Sequence, residues 1–193
     1  MSSVAGSLAP GLIIAPPALT DPNFDRTVVM LAVHNDGGAL GFVINRAAQV
    51  VLGDLVAYAG YGDGWKHDRS PVLYGGPVQP SSVWVLSSDG EAPPSDMIAV
   101  GDRLRISSSR AAFDALVRDL EGGGPRGRRA LLGYSGWAPG QLEAEMAAGA
   151  WLPVGLDDAI VLDDDLDTKW ERAYALMGLS PASMMSMKGG GAA

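Results

Sequence analysis

The chain contains no cysteine. Disulfide scaffolds, thiolate zinc sites, thiol nucleophiles and thiolate-bound iron–sulfur clusters are therefore excluded. Histidine is nearly as scarce: His34 and His67 are far apart, and neither lies in an H-E-x-x-H arrangement. Long hydrophobic runs are missing as well. A membrane-spanning helix needs roughly 20 mostly apolar residues, and stretches such as 28–33 fall far short. No Lys or Arg precedes Arg26, and Pro10, Pro16 and Pro17 interrupt the early apolar residues. That pattern lacks the basic start and unbroken apolar core of a secretory signal. A soluble cytoplasmic protein with no membrane partner is expected.

An excess of positive charge is also lacking. The 14 Lys and Arg face 22 Asp and Glu, for a net charge of −8, which argues against bulk electrostatic binding of nucleic acid. The acidity is local: residues 143–171 hold nine acids and one base, Lys169, and the remainder is balanced. The acidic stretch suits a basic partner or a neighbouring copy's arginines. A length of 193 residues with 47% hydrophobic residues fits one folded domain. We place it at 11–180, with flexible ends at 1–10 and 181–193.

Residues 12–15 form a short apolar run closed by Pro16 and Pro17, the pattern of a buried strand. Residues 27–33 and 39–45 are β-rich, and the Asp36-Gly37-Gly38 between them predicts a hairpin. Their nearly continuous hydrophobicity predicts that helices cover both faces. Leu52, Leu55 and Val56 mark a helical stripe; 72–74, 83–86, 104–106 and 130–135 are strand candidates. Ser109 is placed to cap a helix over 110–121. A short helix is expected over 139–148, extended chain over 151–154 and 159–162, and a last helix from an Asp167 cap to a Gly178 stop. The order of elements predicts an α/β chain of the α+β type, with a mixed sheet.

The motifs that carry chemistry mostly fail on context. Residues 122–127 match G-x-G-x-x-G but follow a helix and precede a strand, the reverse of a dinucleotide site. Ser135 sits in G-Y-S-G-W, one glycine short of a nucleophile elbow. Asp163, Asp165 and Asp167 open like a calcium loop, but Thr168 and Tyr174 occupy its glycine and glutamate positions. Glu143 and Glu145, two apart on a helix, point to different sides. No cofactor is implied. Arg103, Arg105, Arg110, Arg118, Arg126, Arg128 and Arg129 hold half of the basic charge, a patch able to meet an anion, or DNA in a salt-dependent way.

Five segments in order resemble the AlgH/YqgE family of bacterial proteins: PALTDPNFDRTVV (17–29), HNDGGALGFVINR (34–46), YGGPVQP (74–80), LGYSGWAPGQLEAE (132–145) and WERAYALMG (170–178). One departure is Ala47-Ala48, where family members carry a proline soon after the Asn-Arg pair. The resemblance implies a single α/β domain with a curved, barrel-like mixed sheet packed by helices. It also suggests a transcriptional regulator, although no DNA-binding motif accompanies it, and it carries over no catalytic residue.

Within these segments, Asp21, Asn23 and Arg26 lie in one loop and Asn45 and Arg46 end a strand. Gly75 and Gly76 permit close backbone approach, and Trp137 and Gln141 stand before and at a helix start. These nine residues form our candidate groove, in which Arg26, Asn45 and Arg46 would contact an anionic ligand or peptide. The competing expectation is that the polar groups satisfy turn backbones. A non-enzymatic binding or regulatory protein, acting through a protein or a small anionic ligand, is the resulting expectation. The alternative is a hydrolase or transferase using Ser135, Glu143 and Glu145.

Overall fold

The computed structural model describes residues 6–88, 96–122 and 127–189. Within them the elements run β1 (Gly11–Ile14), β2 (Val28–Asn35), β3 (Gly38–Val43), β4 (Ala47–Val51), α1 (Leu52–Val56), β5 (Pro71–Tyr74), β6 (Val78–Ser88), β7 (Ile98–Val100) and β8 (Leu104–Ser107). There follow α2 (Arg110–Glu121), β9 (Arg128–Trp137), α3 (Gln141–Ala147), β10 (Leu152–Val154), α4 (Asp158–Leu162), α5 (Lys169–Leu176) and α6 (Pro181–Gly189). No helix among the described residues is long and apolar enough to cross a membrane.

The strands pair in the order β10-β1-β2-β3-β9-β6-β8-β7, antiparallel along that path. The sheet is mixed because β5 pairs parallel with β9 and carries β4 on its other side. β9 is the branch: β5 bonds to it at Leu131 and Leu132, β3 at Gly136 and its two neighbours, and β6 lies along the opposite edge.

The uninterrupted hydrophobic strands are explained by two-sided burial. Leu12, Ile14, Val28, Met30, Phe42 and Ile44 join Trp170 and Tyr174 of α5 in one cluster. The intervening Ile13, Ala15, Val29, Leu31 and Val43 join Leu142 of α3, Trp137 and Trp151 in another. Alternation with period two thus feeds two cores from the same strands. Val100, Leu104 and Ile106, from the far end of the sheet, share the first cluster, so the sheet curls into a half-barrel around it. A third cluster packs α1 and α2 through Leu52, Phe113, Leu116 and Leu120 on Val72, Val85 and Ala130.

Ser109 caps α2 as expected, its Oγ accepting the Ala112 N–H at 3.2 Å. Ser109→Ala is expected to lower unfolding free energy by about 1 kcal/mol in urea titrations. Two expectations are corrected. Residues 159–162 are helical, not extended, because Asp157 Oδ1 accepts the Ile160 N–H at 2.8 Å and starts α4. Asp167 does not cap α5; Thr168 holds that place without a side-chain cap bond. β4, β7 and α6 were not anticipated. Ser180 and Ser183 begin α6 by exchanging side-chain-to-backbone hydrogen bonds of 3.0 and 3.1 Å.

Candidate functional site

The loop between β1 and β2 is a folded unit. Asp21 Oδ1 accepts the Asn23 N–H at 2.8 Å, and Thr27 Oγ1 donates to the Phe24 carbonyl at 2.8 Å. Arg46 staples it: Nη1 donates to the carbonyls of Pro22 and Asn23, both at 2.8 Å, and Nη2 to that of Asp25 at 2.9 Å. Asn45 continues the staple, accepting the Val28 N–H and donating to the Arg26 carbonyl. Tyr74 donates to Asn23 Oδ1 at 3.3 Å. The guanidinium of Arg26, a residue held at φ 53°, lies 4.8 Å over the Trp170 ring.

The groove expected from the sequence is therefore divided. Asn45 and Arg46 direct their polar atoms at this loop, as the competing expectation held, Asn23 within it turns its side chain to Tyr74, and Arg46 is engaged by three carbonyls rather than directed at an anion. Gly75 and Gly76 are buried where β3, β5 and β9 converge. The close approach they permit is of chain to chain: a Cβ on Gly75 would sit 2.4 Å from the Gly133 carbonyl oxygen. Arg26 faces a hollow of about 670 Å³ with Pro17, Trp170, Leu179 and Met185, flanked there by Asp25 and Glu171.

Asp21, Trp137 and Gln141 do come together, in a cleft of about 330 Å³ walled also by Leu19, Phe24, Pro77, Val78, Gly136, Glu145, Ala150 and Trp151. Glu145 is its focus. Oε2 accepts the indole N–H of Trp137 and of Trp151, each at 2.9 Å, and Oε1 accepts the Gln141 amide at 2.8 Å. Gln141 is fixed in turn by accepting the Ala138 N–H at 3.0 Å. Trp137 and Trp151 meet edge to face at 6.0 Å, and Phe24 meets Trp151 likewise at 5.3 Å. Buried indole N–H groups need acceptors, so the strand end, the helix and the segment before β10 are registered on one carboxylate. Phe24 and Trp151 were not singled out by sequence reasoning, and Glu145 was weighed only for catalysis. The signal available was the pair of tryptophans on either side of Glu145.

Ser135 is fully buried, its Oγ donating to the Gly75 carbonyl at 3.2 Å. His34 is nearly buried; Nδ1 accepts the Leu8 N–H at 3.0 Å, so Nε2 faces Glu143 Oε1 at 3.0 Å as donor. A hydrogen bond from its own backbone N–H, and then the one to His34, lower the Glu143 carboxyl below the usual range. Glu143 and Glu145 do point to different sides of α3. His67 is exposed beside Trp65, 6.5 Å between rings.

Several arginines of the basic stretch meet the protein's own acceptors. Arg128 pairs with Asp119, Arg110 with Asp114 at 3.0 Å, and Arg129 with Asp164 at 2.6 Å; Arg105 donates to the Leu104 carbonyl at 2.8 Å. Arg126 and most of the 122–127 glycine motif lie outside the described residues. Asp163 pairs with Arg172 and Asp165 accepts from Thr168. Among the described residues no group of three or more His, Asp or Glu could hold a metal ion.

A curled, mixed half-barrel sheet branching at one strand, with helices on both faces, defines the structural class. The chain belongs to the AlgH-like family, whose model matches residues 12–182. A UPF0301 protein of Anaeromyxobacter dehalogenans is 41% identical over 96% of this chain and 95% of its own length. One from Myxococcus xanthus is 38% identical over 95% and 98%. The solution structure of the AlgH protein from Pseudomonas aeruginosa superposes with a TM-score of 0.75 at 32% identity, covering 100% of this chain and 98% of that one. A crystal structure of a Corynebacterium diphtheriae protein shares the fold at a TM-score of 0.68 and 17% identity, over 90% and 88%.

Proposed function

We propose that the protein is a non-enzymatic binding or regulatory protein that works through the Glu145 cleft. The observation that carries this reading is the carboxylate itself, fixed by three N–H donors in the wall of an open cavity. Such prepositioned polar groups on an apolar lining are the usual build of a ligand site. The pairing of Arg110, Arg128 and Arg129 with acids weighs against direct DNA contact by that stretch. Any regulatory effect on transcription then runs through a ligand or protein partner.

A fragment library of mixed charge, screened by NMR against the full chain, tests this. Binders are expected to compete with one another and to shift the Trp137, Trp151 and Gln141 side-chain signals without being consumed. Turnover of a compound that is abolished by Ser135→Ala or His34→Ala overturns the reading, as do binders that all fall away from the cleft.

A further inference from the structure

The ionisable residues lining the cleft are Asp21 and Glu145, and no base joins them. The three groups that hold Glu145 are neutral N–H donors, so they fix its position without cancelling its charge. A carboxylate offers about four lone-pair directions, which leaves one for an incoming donor.

Gly136 supplies a separate observation. A glycine inside a strand weakens it and marks a place where another backbone or a ligand comes close. At Gly75 and Gly76 the backbone of β9 explains the glycines, but at Gly136 it does not. A Cβ there would meet nothing nearer than the Tyr134 ring at 3.5 Å, and its φ is not among the positive ones. Gly136 lines the cleft with its own backbone.

We infer that the cleft takes a cationic head group on an aliphatic stem, an alkylammonium or alkylguanidinium of the kind a lysine or arginine side chain presents. The head meets the Glu145 carboxylate, and the stem lies along Leu19, Phe24 and Pro77. This rests on the proposed binding function and names its ligand class.

The test follows the indole N–H signals of Trp137 and Trp151 in the full chain. The probes are butylguanidinium, butylammonium, neutral butylurea, anionic pentanoate and a blocked Gly-Arg-Gly peptide. The cations are expected to shift both signals saturably, with a Kd about tenfold below that of butylurea, and pentanoate to leave them unmoved. Tighter binding of the peptide identifies a protein partner as the source of the cation, and tighter binding of the free amines a small molecule; either supports the inference. Glu145→Gln is expected to weaken cation binding about tenfold. Should that variant fold poorly, Asp21→Asn, which keeps the acceptor for the Asn23 N–H and the Glu145 carboxylate, is expected to weaken cation binding about threefold and leave butylurea binding unchanged. Butylurea or pentanoate binding there as well as the cations do overturns the charge assignment while sparing the binding function. No shift with any probe overturns the inference, while the fragment screen decides the binding function.

Discussion

Lys169→Met is expected to be more stable than the parent chain at pH 7 and to lose a rise in stability that the parent shows as pH climbs from about 8 toward 10.5. The Lys169 side chain is fully buried, and Nζ donates to the Val161 carbonyl at 2.8 Å. Burial first, and the positive charge of Arg129 next, push its pKa down to about 8, against the pull of Asp163 and Asp164. Those two carboxylates are already paired, with Arg172 and Arg129, so among the described residues the ammonium has no ion partner of its own. The folded chain releases this proton near pH 8 and the unfolded chain near 10.5. Between those values the unfolded state binds more protons, so stability rises with pH. The penalty is fully present below pH 8 and amounts to about 3 kcal/mol. Methionine removes it but leaves the Val161 carbonyl unpaired, for a net gain of about 2 kcal/mol at pH 7. Urea titrations of both proteins at pH 7 and pH 10 check this. Tyr174, pushed up to about 12 by burial, acts in the opposite sense above pH 10 but cancels in the comparison. A variant less stable at pH 7, with the parent's pH dependence intact, would sink the account.

Gly76→Ala is expected to lose about 4 kcal/mol, a large part of a typical domain's stability, whereas Gly136→Ala is expected to gain about 0.5 kcal/mol. At Gly76 a new Cβ would lie 2.3 Å from the Tyr134 carbonyl and 2.5 Å from Ser135 Oγ, on a backbone at φ 152°. Nothing there can yield without parting β5 from β9. At Gly136 the same methyl meets ordinary van der Waals distances. Equilibrium unfolding of the two variants separates these cases. A Gly136→Ala variant as damaged as Gly76→Ala would show that Gly136, too, is required by packing.

Much of the fold was legible because local chemistry and tertiary demand agreed. The β2–β3 hairpin follows from Asp36-Gly37-Gly38 between β-rich runs, and α2 from its Ser109 cap and apolar stripe. Continuous hydrophobicity in β1 to β3 correctly implied two covered faces. Helix α4 was not legible, since five residues are too few to show helical periodicity and Ile160 and Val161 suit a strand equally well. The polar loop was visible as a cluster of functional-looking groups. That Arg46 and Asn45 are consumed in holding it depends on which carbonyls face them, and linear sequence does not encode that. The cleft was only half visible, through Asp21, Trp137 and Gln141. Its polar centre is Glu145, whose partner Trp151 lies beyond α3 and is brought back by the turn that follows it.

The branching of the sheet also sets an order for assembly. β3, β5 and β6 all bond to β9, which begins at Arg128. Until that strand leaves the ribosome, all three present open edges, and the nascent chain is at its most prone to pair with a neighbour. α5 arrives later still to seal the core around Phe42 and Met30. The helix that seals this core is therefore made after the strands it covers, and truncation before it would leave an adhesive intermediate rather than a smaller folded protein.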